Sequence, residues 1–311
     1  MPEVQHVTVT QAESGQKLLQ YLNRALGGQV PRSALLRWIR TGQVRVESRR
    51  CKPFRRVHTG ERIRIPPYTP ENNTSAILPS PSNPFLLSRV HEDQELLVLA
   101  KPPDLATQPG SKVTRSVTDY LNHCYAESEW MPSLVHRLDK DTSGLLLVAK
   151  TYGCLQHLQR LWKTGSIEKT YLAWVDGETN WSDWTRLADE IVPPGQRKGA
   201  AGQKGVLRAL SSVLTLRNAG GKSLLAVSLH TGRKHQIRIQ LSNRGVPVLG
   251  DRKYGRRRSG QGLLLHAYRL AWEGRSFSLE PPWIKEFALL DADREKLGKD
   301  QASGKVPGEA C

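Results

Sequence analysis

The stretch that most constrains this chain is Val135-His136-Arg137-Leu138-Asp139-Lys140-Asp141-Thr142-Ser143-Gly144, followed at once by Leu145-Leu146-Leu147-Val148-Ala149-Lys150. Charged and small polar residues form a tight turn, and the turn opens straight into an apolar run that reads as a buried strand. The end of a rigid strand is a place where a carboxylate can be held accurately. Arg137 and Lys140 flank Asp139 in sequence, and nearby cations keep a carboxylate ionised, as a nucleophile or general base requires. In isolation, Asp-Lys-Asp-Thr-Ser-Gly is better read as an Asx or Ser/Thr turn between two strands.

Charge points to a polyanionic partner. The 311 residues carry 46 Lys+Arg against 29 Asp+Glu, a formal charge of +17 and a pI near 10.0. That exceeds what solubility requires, and it raises affinity for polyanions without giving sequence specificity. Residues 1–70 hold 13 Lys+Arg and 4 Asp+Glu, so +9 of the charge sits in less than a quarter of the chain. Such asymmetry predicts a dedicated binding module. Cys51, Cys124, Cys154 and Cys311 form no Cys-x-x-Cys pair, which argues against a zinc site or a disulfide framework and fits a reducing cytoplasm. No apolar run approaches the roughly 18 residues of a membrane span, and Met1 to Val9 lack the apolar core of a signal peptide.

Leu18, Leu22 and Leu26 predict a helix ended by Gly27-Gly28; a second is predicted from an N-cap at Ser33 through Arg40, with Gly42 beyond its end. Short strands follow at Val44–Val46 and Ile63–Ile65. Six prolines between residues 66 and 84 mark a stiff linker that lets the small unit move relative to the larger one. The larger part reads as mixed α/β. Leu96–Ala100, Leu145–Ala149 and Leu224–Leu229 are strands, Ser116-Val117-Thr118-Asp119 is a capping box, Leu155, Leu158 and Leu161 mark a helix, and Thr231 is placed as the cap of a helix through Arg244. Strands do not alternate strictly with helices, which favours a mixed or antiparallel sheet over a doubly wound one. The tail after Arg294 is expected to be disordered.

The string around Asp139 resembles the His-Arg-Leu-Asp signature of the RluA family of pseudouridine synthases. Lys169-Thr170-Tyr171-Leu172-Ala173-Trp174-Val175-Asp176-Gly177 is similar to the second family motif, and Leu229-His230-Thr231-Gly232-Arg233-Lys234-His235-Gln236-Ile237-Arg238 to the third. Gly250-Asp251-Arg252-Lys253-Tyr254-Gly255 and the opening Leu97–Thr107 also follow the family pattern, in family order, across residues 85–290. Residues 15–67 resemble an S4 RNA-binding domain through Pro31-Arg32-Ser33, Thr41–Val46 and Gly60–Pro67, although Lys17-Leu18-Leu19 stands where that family has Arg-Leu-Asp. The resemblance implies an α+β protein: a small S4-like α/β RNA-binding module over residues 1–67, a Pro-rich linker over 68–84, a synthase domain over 85–294 built on a curved, mainly antiparallel mixed sheet flanked by helices, and a tail over 295–311.

It also implies roles. Pseudouridine formation breaks N1–C1′, turns the uracil and joins C5 to C1′, with no redox change, so no cofactor and no metal are expected. Asp139 is the implied catalytic carboxylate, attacking C1′, attacking the ring, or taking the C2′ proton. From the residues alone Arg238 is better read as a surface phosphate contact; the resemblance pairs it with Asp139. A lone strand tyrosine is usually core packing; the resemblance stacks Tyr171 on the uracil, with its hydroxyl near the C5 proton. Arg137 is either an ion-pair partner of Asp139 or Asp141 or, by resemblance, the wedge that fills the space of a flipped-out base. Arg32, Arg37, Arg40 and Arg45 of the module, with Arg233, Lys253 and the run Arg256-Arg257-Arg258, are candidate RNA contacts. His136, His230 and His235 lie on separate predicted elements and are not read as a metal site, and Gln240 stands where many members have His.

The expected function is isomerisation of uridines in large-subunit (23S) ribosomal RNA, as in the RluC-like branch of the family, by a monomer in the cytoplasm away from membranes. The alternatives are a synthase acting on transfer RNA and a non-catalytic RNA-binding ribosome-assembly protein. A glycoside or nucleoside hydrolase would want a second acid at set distance, and Asp141 is the only close candidate.

Overall fold

The computed structural model describes residues 3–27, 30–68, 86–109, 115–128, 130–192, 206–256 and 262–302. The Pro-rich linker beyond Tyr68, most of the Arg256-Arg257-Arg258 run, Gly28, and the tail from residue 303 lie outside the described residues.

The N-terminal unit comprises β1 (Gln5–Thr8), α1 (Leu18–Ala25), α2 (Arg32–Thr41), β2 (Arg45–Val46) and β3 (Arg62–Ile65). Its strands pair antiparallel in the order β1-β3-β2. Alternation places Ile63 and Ile65 inward and Arg62 outward. Leu18 and Leu22 of α1 join Leu35, Trp38 and Ile39 of α2 over the sheet, so the unit has its own core. Pro31, not Ser33, occupies the N-cap of α2, because the fixed φ of proline already leads the chain into the first turn. Gly42 closes the helix in the left-handed conformation (φ 74°).

The larger unit comprises β4 (Arg89–Glu92), β5 (Leu96–Lys101), α3 (Val117–Cys124), β6 (Ser133–Leu134), β7 (Ser143–Ala149), α4 (Tyr152–Thr164), β8 (Glu168–Asp176), β9 (Thr185–Ile191), β10 (Leu207–Ala219), β11 (Lys222–Leu229), α5 (Gln236–Asn243), β12 (Leu265–Trp272), β13 (Arg275–Ser278) and α6 (Asp291–Ala302). One mixed sheet runs β4-β5-β7-β12-β8-β11-β10-β9, with β6 added to β7 and β13 to β12. Its pairs are antiparallel except β7 with β12, which is parallel. This is the mainly antiparallel α+β architecture that the sequence implies.

Both faces of the sheet are covered, which explains why the apolar runs are continuous. Leu97, Leu99, Leu146 and Val148 face α3 and α5 on one side. Their neighbours Leu96, Val98, Leu145 and Leu147 face α4 on the other. All seven residues of β7 are buried. Ser116 and Asp119 form the expected capping box on α3.

The tail departs from expectation. Instead of losing order at residue 295, the chain continues α6 to Ala302. Leu297 is buried beside Trp174, Leu214 and Leu289, and the Lys296 ammonium donates to the Thr215 carbonyl at 2.7 Å. The N-terminal unit is also not free of the larger one: the Tyr152 N–H at the start of α4 donates to the Ala12 carbonyl at 2.9 Å, and the Arg24 guanidinium lies 4.5 Å from the centre of the Trp130 ring.

Candidate active site

Asp139 sits in the turn that feeds β7. The Thr142 N–H closes this turn onto the Asp139 carbonyl at 3.1 Å. Three features fix it. The Thr107 hydroxyl donates to the Leu138 carbonyl at 2.7 Å and accepts from the Leu138 N–H at 3.2 Å. The buried Lys101 ammonium donates to the carbonyls of Pro102 (2.8 Å), Leu105 (2.8 Å) and Lys140 (2.9 Å), tying the end of β5 to the turn. Burial pushes Lys101 down to about 8, against the opposing pull of Asp141 and Asp139. Gly144 (φ 118°) completes the exit, since a Cβ there would lie 2.3 Å from the Ala267 carbonyl oxygen of β12.

Arg238 reaches Asp139 from α5. Its Nη1 lies 3.3 Å from Asp139 Oδ2, while Nε and Nη2 hold both oxygens of Asp251 at 2.7 and 2.8 Å. Asp251 also accepts the backbone N–H groups of Lys253 (2.9 Å) and Tyr254 (3.0 Å). Burial raises the Asp251 carboxyl, but the Arg238 bonds and those N–H groups outweigh it and hold it below the usual carboxylate range. Burial lowers Arg238, and the two carboxylates more than reverse that effect. The guanidinium therefore joins a buried, fully bonded carboxylate to a half-exposed one.

His235 forms the other wall. Thr231 does not cap α5; His235 does, in the left-handed conformation (φ 57°). The Thr231 hydroxyl instead donates to Gln236 Oε1 at 2.7 Å. His235 Nε2 lies 3.7 Å from Asp139 Oδ2, and Nδ1 is 2.9 Å from the Tyr254 hydroxyl. Burial lowers its pKa, opposed by Asp139 and reinforced by Arg238, Lys253 and Lys234.

These groups line a cleft of about 750 Å³ with Tyr171, Leu229, Ile237 and Leu265 as its apolar lining. Tyr171 is buried and packs into the core of the sheet as well as facing the cleft. Burial, and then the charge of Asp139, push its phenol well above the ordinary value. Arg137 is exposed at the edge of the cleft, and Arg233 borders it with Nε bonded to the Arg208 carbonyl at 3.1 Å. Lys253 is exposed beside the Tyr254 ring, 5.2 Å from its centre.

Except for His136, which borders the cleft from within the core, the other candidates fall elsewhere. Arg32, Arg37 and Arg40 are exposed on α2, and Arg45 on β2 turns back to the Gly42 carbonyl at 3.2 Å. Gln240 is buried among Ser211 (2.9 Å) and Asp189 (2.7 Å), away from the cleft. His136 accepts the Leu147 N–H at 3.0 Å and stacks on Trp162 with centres 4.1 Å apart, while His230 pairs with Ser212 at 2.9 Å. The three motif histidines thus have separate partners. Reading the sequence missed Lys101, Thr107 and Asp251. The signal for Lys101 was a cation closing an apolar strand before Pro-Pro; for Asp251 it was an acid in a Gly-rich turn with no other evident task.

Comparison with known proteins bears on the same region. Residues 95–243 match the profile of the RNA pseudouridylate synthase family. "Ribosomal large subunit pseudouridine synthase C" of Escherichia coli (strain K12) is 34% identical over 287 residues, covering 86% of this chain and 88% of that protein. The protein of the same name from Haemophilus influenzae is 32% identical over 286 residues, covering 87% of each. Among solved structures, "Human RNA Pseudouridylate Synthase Domain Containing 1" shares the fold, with a TM-score of 0.59, 22% identity, and coverage of 73% of this chain and 99% of that one. The match in sequence runs through the turn of Asp139, the strand of Tyr171 and the helix of Arg238, and on that basis the chain belongs to the family of RNA pseudouridylate synthases.

Proposed function

We propose that this enzyme isomerises uridines in large-subunit ribosomal RNA, with Asp139 as its reacting carboxylate. The substrate class is taken from the relatives that cover most of the chain. The observation that carries the chemistry is the Asp139–Arg238 pair beside Tyr171 in one cleft, with Arg238 held from behind by the buried Asp251. Arg238 and His235 both face Oδ2 of Asp139. Among the described residues no hydrogen bond is made to Oδ1, so Oδ1 is the oxygen we assign to the reaction.

The steps balance without an added reactant. The N1–C1′ bond breaks and C5–C1′ forms. The C5 proton is lost and N1 regains one. Arg238 keeps the carboxylate charged and aimed, and a charge-assisted contact of this kind is already in place before substrate arrives. Tyr171 enters as a neutral phenol, and burial with the nearby Asp139 charge makes loss of its proton harder still. Its main part is then to stack on the uracil through the detached stage, and its hydroxyl can exchange a proton only through a partner. Arg137, exposed at the cleft edge, is assigned as the wedge that replaces the flipped base. We assign the N-terminal unit as an S4-like RNA-binding domain contacting phosphates through Arg32, Arg37, Arg40 and Arg45, with Arg233 and Lys253 at the cleft rim. We further propose that it acts as a monomer in the cytoplasm, a setting consistent with a bacterial-type ribosomal RNA substrate.

Asp139→Asn keeps the shape and removes the charge. Tritium release from C5-labelled uridine in a large-subunit rRNA transcript should be abolished, with RNA affinity changed less than threefold. Turnover within tenfold of wild type would falsify the assignment.

A further inference from the structure

A second recess, of about 630 Å³, lies where the N-terminal unit meets α4. One wall carries Lys17, Arg24, Arg32 and Arg56. The other is formed by α4, through Tyr152, Gln156 and Gln159. Among the described residues no carboxylate forms an ion pair with any of the four cations. Glu13, whose charge acts on Arg24, spends its carboxylate on the Thr10 N–H (2.9 Å) and hydroxyl (3.1 Å). Four like charges around one recess repel one another, and a multivalent anion removes that repulsion. Gln156 and Gln159 are exposed and add neutral hydrogen-bonding groups opposite the cations; such amides contact phosphate and ribose in RNA complexes.

The position of the recess selects among anions. Helix α4 runs from this seam to the cleft, where Trp162 forms part of the wall. Six residues separate Gln156 from Trp162, about 9 Å along a helix at 1.5 Å per residue. That span matches about three stacked nucleotides at 3.4 Å each. Gln156 and Trp162 are also about a third of a turn apart around the helix, so a strand joining the two sites wraps part-way around α4. An isolated phosphate has no need of a site so near the cleft, whereas a strand whose uridine occupies the cleft must continue in some direction.

We propose that the seam between the N-terminal unit and α4 is a second RNA-backbone site, gripping phosphates about three nucleotides from the target uridine. This rests on the reading of the cleft as the uridine site. The Tyr152 N–H bonded to the Ala12 carbonyl joins α4 to the N-terminal unit, and Arg24 packs on Trp130 of the larger unit, so the seam sets a distance between the module and the reacting base and selects RNA that can span it.

The test uses the full chain and a large-subunit rRNA transcript, with binding measured by filter retention from 50 to 300 mM KCl. Lys17→Gln/Arg32→Gln/Arg56→Gln should weaken binding at least tenfold at 150 mM salt and lower the slope of log affinity against log salt by about 2 to 3, since each lost phosphate contact removes about 0.7 to 0.9. Arg56 also donates to the Gly15 carbonyl at 2.5 Å, so a second variant leaves the module untouched: Gln156→Glu/Gln159→Glu, on α4, should weaken binding at least fivefold. With RNA fragments lengthened stepwise on either side of the target uridine, wild-type affinity should rise once one side passes about three nucleotides, and both variants should lose that increment. Wild-type affinity and slope in both variants would overturn the seam. Wild-type pseudouridine formation on the same transcript is followed in parallel; its absence would sink the reading of the cleft, and the binding comparison would still decide the seam.

Discussion

At the scale of single residues, the cleft separates holding from reacting. Arg238 spends two of its three bonding nitrogens on Asp251 and offers one to Asp139. Its position is therefore set by a partner that takes no part in the reaction, which keeps the guanidinium fixed when substrate displaces water. His235 is held similarly, by Tyr254. Asparagine tolerates the left-handed conformation of His235 but is too short to reach Asp139. His235→Asn should thus keep the helix start and lower kcat about tenfold with KM little changed; single-turnover kinetics showing full kcat would remove His235 from the site. Tyr171→Phe preserves the ring and the core packing. If stacking is the main role, kcat should fall by less than tenfold, and RNA binding should be unaltered. A loss above a thousandfold would instead assign the hydroxyl to the proton at C5. Arg137→Ala should impair isomerisation more in folded RNA than in an unstructured oligonucleotide, because only the folded substrate bears the few kcal/mol of flipping. Equal defects on both would return Arg137 to the role of an ion-pair or phosphate contact.

At the scale of elements, the turn before β7 depends on its neighbours more than on itself. Lys101→Met would leave the carbonyls of Pro102, Leu105 and Lys140 without their shared donor, a loss on the order of 3 kcal/mol, and would free the turn that carries Asp139. Urea unfolding should report the stability change, and kcat should fall further than the unfolded fraction explains. Gly144→Ala should be worse, because the new methyl group meets backbone of β12 rather than a movable side chain. A soluble, fully active Gly144→Ala protein would show that β7 and β12 can separate there. The same elements show what the sequence could and could not disclose. Residue by residue, Asp139 read as a turn former, Tyr171 as core packing and Arg238 as a surface contact; only the family motifs around them pointed to one site, and the structure brings the three to one cleft. Asp251 was not legible, since its pairing with Arg238 depends on a turn folding back over α5. Lys101 was not, because a lysine ending an apolar strand ordinarily turns to solvent. The start of α5 was misplaced because histidine rarely caps a helix in the left-handed region. Helix α6 left no trace because Leu297 is the one large apolar residue between Asp291 and Ala302, and a single contact carries no period.

At the scale of the whole molecule, the sheet is covered on both faces, and this buries titratable groups that the reaction does not use. His136, under Trp162, is pushed down to about 3 by burial. His266 is pushed down to about 4, also by burial, with Nδ1 bonded to the Ser143 hydroxyl at 2.8 Å and Nε2 to the Leu279 carbonyl at 2.9 Å. Both stay neutral in the folded protein at pH values where an unfolded histidine, with its ordinary pKa near 6.5, takes up a proton. Between about pH 6.5 and 4 the unfolded state therefore binds more protons than the native state, and stability must decline as pH falls through that window. Each histidine contributes about 1.4 kcal/mol per pH unit, so the pair gives close to 3 kcal/mol per unit near pH 5. Above pH 7 the contribution is complete, and further increase adds nothing from these groups. Asp251, held low by Arg238, extends the decline to more acidic pH in the same direction. Denaturant unfolding at intervals from pH 7.5 to 4.5 measures the slope directly. His136→Phe removes one titrating group, and although it costs stability by leaving the Leu147 N–H without its acceptor, it should reduce the slope by about half. A wild-type stability that is flat across this range would mean that the two histidines are protonated in the folded chain, and that water reaches the packing between α4 and the sheet.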